Sequence, residues 1–105
     1  MNFRVRLTRE AEADLERLFD HVLQRELVSN SGNLALAEQA LVAVHAGLAT
    51  LKSSPFTCRK AGKSPFDREL IIPFGRSGFV ALFEILGPGE VAVAAVRHQL
   101  EDDYH

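Results

Sequence analysis

The 105-residue sequence predicts a two-layer α+β domain, with an antiparallel pair of helices laid on a mainly antiparallel sheet in the order β-α-α-β-β-β. Three observations lead there. A short alternating segment opens the chain. Two stretches of helical periodicity follow, divided by a turn cluster. Three apolar, strand-like runs separated by glycine-containing turns then close it.

In the opening segment FRVRLT (3–8), Phe3, Val5 and Leu7 alternate with Arg4 and Arg6, as in a half-buried strand. Thr8 is placed to cap a helix, and Glu10 and Glu12 fall in its first turn, where the helix dipole favours acids. Ala11, Leu15, Leu18, Phe19, Val22 and Leu23 then recur as one apolar stripe, with Arg9, Glu12, Glu16, Asp20 and Arg25 on the opposite side. SNSGN (29–33) breaks the pattern. A second helix, over 33–53, carries Leu34, Ala37, Leu41, Val44, Leu48 and Leu51 as its seam. Beside that seam, the row Leu36, Ala40, Ala43 and Gly47 is small enough to let another element approach closely. SSPFTCRKAGKSPF (53–66) reads as a loop, and its length hints at function or mobility. The strands follow as RELIIPF (68–74), GFVALFEIL (78–86) and EVAVAAVRH (90–98), joined by GRSG (75–78) and GPGE (87–90). Pro73 marks an edge or a bulge, because it brings no N–H to a ladder.

One domain spans 1–105. The charged N-terminus has no signal-peptide core and no run long enough to span a membrane, so cytoplasmic residence is expected. The lone Cys58 has no internal disulfide partner. A net charge of −2 argues against a strong grip on a nucleic-acid backbone. Locally, Arg59, Lys60, Lys63, Arg68 and Arg76 outnumber Asp67 and Glu69, as in either a basic patch or a solvated loop. No CxxC, HExxH or phosphate-binding glycine loop occurs, and His21 and His45 have no converging ligands. No metal and no cofactor is expected.

RNA cleavage by an acid–base route needs cations for the phosphorane charge and groups that move protons. Arg68, Arg76 and Arg97 are the candidate cations; His98, Tyr104 and His105 are the candidate proton carriers. His98 is best placed, following the last strand, although its ordinary role there would be to cap the strand and bond nearby backbone; Tyr104 and His105 end the chain, where fraying is usual. These groups would have to converge within about 10 Å. Arg68 precedes Glu69 on a strand and so faces the other way; its ordinary outcome is an ion pair with a helix carboxylate, its functional one a target contact. A stronger inference concerns partners. Phe79, Ala81, Phe83 and Ile85 lie on one face of their strand, Val80, Leu82 and Leu86 on the other, and too few elements remain to cover both. A partner chain or a second copy is expected across the uncovered side.

Four segments, TREAEADLERLFDHV, LATLKSSPFTCRK, RELIIPFGRSGFVALFEI and VAAVRHQLEDDYH, taken in order, resemble the RelE/ParE superfamily of type II toxin–antitoxin toxins. The resemblance implies a bacterial cytoplasmic toxin neutralised by a small antitoxin encoded alongside. RelE-type members cleave mRNA on the ribosome; ParE-type members poison DNA gyrase. Arg68 matches the family's frequent arginine at this strand start, and Arg97, His98 and Tyr104 lie where RelE-type enzymes carry catalytic side chains. RelE-type nucleases tend to be basic, however, while this chain is acidic, and Glu101, Asp102 and Asp103 would repel a phosphate backbone. The ParE side, which includes plasmid-stabilisation proteins, is therefore the better resemblance. It implies growth inhibition through gyrase, with Arg59, Lys60, Arg68, Arg76, Arg97 and His98 as target- or partner-binding residues. The alternatives are a RelE-type mRNA endoribonuclease using Arg68, Arg76, Arg97 and His98, and a non-toxic partner of an antitoxin in operon regulation.

Overall fold

The structure, a computed structural model, describes residues 2–28, 35–75 and 77–99. It contains β1 (Arg4–Leu7), α1 (Arg9–Val28), α2 (Ala35–Ala49), β2 (Arg59–Lys60), β3 (Asp67–Phe74), β4 (Ser77–Gly87) and β5 (Glu90–His98). Two helices pack on one face of a mainly antiparallel sheet, as expected from the sequence; the sheet has five strands where four were expected, in the order β1-β5-β4-β3-β2. The first strand lies parallel to the last, and every other pairing is antiparallel. The stretch read as a loop has more structure than expected: two 3-10 turns, Thr50–Lys52 and Pro55–Thr57, precede the two-residue strand β2. The turn cluster 29–33 and Leu34 lie outside the described residues. No described helix is long and apolar enough to cross a membrane.

Periodicity determines what is buried. Ala11, Leu15, Leu18 and Val22 of α1, and Ala37, Ala40, Val44 and Leu48 of α2, meet Phe79, Ala81, Phe83 and Ile85 of β4 and Val91, Val93 and Val96 of β5 in one core. The small-residue row on α2 brings β3 close: a Cβ on Gly47 would lie 2.8 Å from Ile72 Cγ1. β2 pairs only with Arg68 and Glu69, so Pro73 sits further along on a free edge, where its missing N–H costs nothing.

Thr8 caps α1 as its position suggests, its Oγ1 accepting from Ala11 N at 3.1 Å. The same hydroxyl donates to the Ala94 carbonyl at 3.2 Å. Asp14, nearly two turns further on, accepts from Val96 N at 3.0 Å. β1 ends opposite Val93, and these two side chains of the helix continue the cover of β5 beyond that point. The β4–β5 register also shifts here, from Leu82 opposite Ala95 to Phe83 opposite Val93, leaving Ala94 as the extra residue of a bulge. Asp14→Ala removes the acceptor of a partly buried N–H. Stability is expected to fall by about 1–2 kcal/mol, measured by urea denaturation.

Candidate functional site

The candidate residues divide between two places. The first is the loop that leads into β3. Arg68, at the start of β3, turns its side chain into that loop: Nε donates to the Pro65 carbonyl at 2.7 Å, and Nη1 donates to the carbonyls of Phe56 at 3.1 Å and Cys58 at 2.8 Å. Its guanidinium carbon lies 5.5 Å from the centroid of the Phe56 ring. The ion pair with a helix carboxylate that the sequence suggests for Arg68 is not formed; among the described residues its partners are carbonyl oxygens and an aromatic face. The reason is reach, since a fork of several N–H donors on a strand next to an irregular loop can satisfy carbonyls from both ends of it. Phe56 in turn meets the buried Phe3 edge-on at 6.4 Å and Phe66 at 6.5 Å.

Around this arrangement sit the other cations of the loop. Arg59 pairs with Glu69 across β2 and β3. Lys60 is the cross-strand partner of Arg68 and shares its face. Cys58 is half-buried; burial pushes its thiol above the ordinary range, against a smaller opposite pull from the charge of Arg68, so it is protonated at neutral pH.

The second place is the far end of the sheet. His98 lies opposite Phe79, its ring edge-on at 5.8 Å and 89°. With Val22, Arg25, Leu36, Gln39 and Phe74 it lines a hollow of about 490 Å³ between the helices and the β3–β4 turn. Arg97, the neighbouring residue, is opposite Val80 and faces the side of the sheet that carries no helix. Arg68 pairs with Phe83 and His98 with Phe79, four positions apart on β4 and hence roughly 13 Å along the strand. The three described catalytic candidates, Arg68, Arg97 and His98, therefore occupy two ends and two faces. Arg76, Tyr104, His105 and the acids Glu101, Asp102 and Asp103 lie outside the described residues. His21 and His45 are exposed on their helices.

Two residues that the sequence reading passed over stand out. Phe56 and Phe66 are half-exposed on the Arg68 loop although both are large and apolar. A signal for them exists: the tripeptide Ser-Pro-Phe occurs at 54–56 and again at 64–66, bracketing the basic stretch 59–63.

A family model described as the ParE toxin of the type II toxin–antitoxin system parDE matches residues 5–103. Among solved structures, a chain of the chromosomal ParDE toxin–antitoxin system from P. aeruginosa is similar in fold. It has 21% identity and a TM-score of 0.70, over 91% of this chain and 95% of that one. The sequence matches no curated protein. The family match begins in β1 and continues past β5, and the chain belongs to the ParE toxin family of type II toxin–antitoxin systems.

Proposed function

We propose that this chain is the toxin of a toxin–antitoxin pair in the bacterial cytoplasm, neutralised by a small antitoxin encoded beside it, and that it arrests growth by binding DNA gyrase rather than by cutting RNA. The observation that carries the choice is the dispersal of the candidate cations. Arg68 is committed to three loop carbonyls, and Arg97 and His98 point to opposite faces of the sheet. Cleavage would need them around one phosphate, whereas binding makes no such demand. Family membership supports the toxin role, and the resemblance to the ParE side supports gyrase as target. The antitoxin has a surface to cover: on the helix-free face Leu82 and Ile71 are half-buried and Leu86 is 43% exposed.

Purified chain is expected to inhibit gyrase supercoiling and to leave ribosome-bound mRNA intact. Cut mRNA would reverse the assignment in favour of the endoribonuclease. Inertness in both assays, with no growth arrest on expression, would leave the non-toxic, operon-regulating role.

A further inference from the structure

We infer that the paired phenylalanines of the loop between α2 and β3 are the surface with which the chain grips gyrase, and that they receive an acidic segment of that protein carrying an apolar side chain. This rests on the reading of the chain as a gyrase-binding toxin and adds where, and to what chemistry, it binds.

Exposed large apolar side chains are few among the described residues, and most stand singly, as Leu27 and Val42 do on the helices. Phe56 and Phe66 do not. They are ten positions apart in the chain, 50% and 49% exposed, yet their rings touch edge to face. Each sits in a turn built by its own Ser-Pro-Phe tripeptide. In the first, the Ser54 carbonyl accepts from Thr57 N and from the Thr57 hydroxyl, with Pro55 buried beneath. In the second, Ser64 Oγ accepts from Phe66 N at 3.1 Å and the Ser64 carbonyl accepts from Asp67 N at 3.2 Å. Arg68 then ties the two turns together through the carbonyls of Phe56, Cys58 and Pro65. Two half-exposed aromatic rings are thus held in place before any partner arrives, which lowers the ordering cost of binding through them.

Charge selects the partner. Lys60 and Arg68 share the side of the sheet on which the rings lie, and the exposed Lys63 follows in the intervening turn. By strand alternation Asp67, Glu69 and Glu84 all project to the opposite side, where Glu69 is further engaged by Arg59. The ring side therefore combines apolar surface with positive charge and has none of the carboxylates of β3 and β4. A partner segment with acids flanking an apolar anchor complements it. Single-stranded nucleic acid fits less well. The rings stand edge to face instead of offering parallel stacking platforms, Arg68 lies over Phe56, and the chain as a whole is acidic, with a net charge of −2.

The test compares the full chain with Phe66→Ser and with the double variant Lys60→Glu, Lys63→Glu in gyrase supercoiling assays. The charge-reversal variant alters exposed side chains only, so it remains informative should the first fold poorly. Each is expected to raise the half-inhibitory concentration by about tenfold or more while the circular dichroism of the charge variant stays that of the parent. Inhibition that survives both changes overturns the surface assignment alone. A parent chain without effect on gyrase overturns the gyrase reading and this surface with it. Two other results would also overturn the inference: binding of a labelled single-stranded RNA 20-mer that the variants lose, and a parent dimer in sedimentation that the variants dissolve.

Discussion

Phe79→Ala is expected to remove a large part of the stability of the domain. Phe79 is 2% exposed, near the start of β4 and facing the helices. Its ring lies 5.8 Å from those of Phe74 and His98. Together with Leu15, Leu18 and Phe19 of α1 and Ala40, Leu41 and Val44 of α2 it lines a shallow hollow of only about 10 Å³. Truncation leaves a space between two helices and a sheet, whose separation is held by the rest of the core, so the space cannot close fully. The cost is about 3–5 kcal/mol, against a total of roughly 5–15 kcal/mol for a domain of this kind. Urea denaturation should record it as a lower midpoint with an unchanged slope. Phe79→Leu keeps most of the volume and should cost about 1.5 kcal/mol or less. An alanine variant within 1 kcal/mol of the parent would mean that the sheet is not held to the helices at this point.

Arg68→Ala should act on the loop and, through it, on function. Three carbonyls from residues 56, 58 and 65 lose their donor, and Phe56 loses the cation over its ring. Water reaches a half-buried site and replaces part of what is lost, so the expected destabilisation is about 2–3 kcal/mol and not the sum of the separate bonds. Arg68→Lys should recover less than half of this, since one ammonium on a flexible stem cannot span three acceptors. A loosened loop exposes Arg59, Lys60 and Lys63 to trypsin, so limited proteolysis should cut the alanine variant there well before the parent. Gyrase inhibition should fall in step with loop protection. A variant cut no faster than the parent would show that the backbone turns hold the loop without the arginine.

The sequence was informative wherever side chains repeat with the geometry of an element. The stripe from Ala11 to Val22, the seam from Ala37 to Leu51 and the three final runs gave both helices and β3 to β5, because burial on one side imposes a period. Thr8 was legible as a cap because capping is local chemistry. β2 was not legible: Arg59 and Lys60 are both exposed and basic, and they become a strand only because β3 offers them an edge. Nor was the bulge at Ala94, since a Val-Ala run apolar on both sides shows no break in alternation when one residue is added. The site was harder to read for the same reason. Which face Arg97 and His98 would take follows from alternation, but the bonds of Arg68 depend on carbonyls of an aperiodic loop, and carbonyls leave no mark in a sequence.

The pairing of β1 with β5 sets a condition on when this protein can exist as a folded object. β5 is an interior strand, flanked by β1 and β4, and the ion pair between Arg6 and Glu90 joins positions 84 apart at 2.9 Å. Contacts so distant along the chain require both ends of it to be present and carry the entropic cost of closing almost the whole loop. A ribosome that has translated four of the five strands therefore carries a sheet open in the middle, with β4 lacking a neighbour on one side and β1 lacking any. If the chain acts as the proposed toxin, its activity is expected only once residues 90–98 have emerged, and a chain cut short before them is expected to be inert.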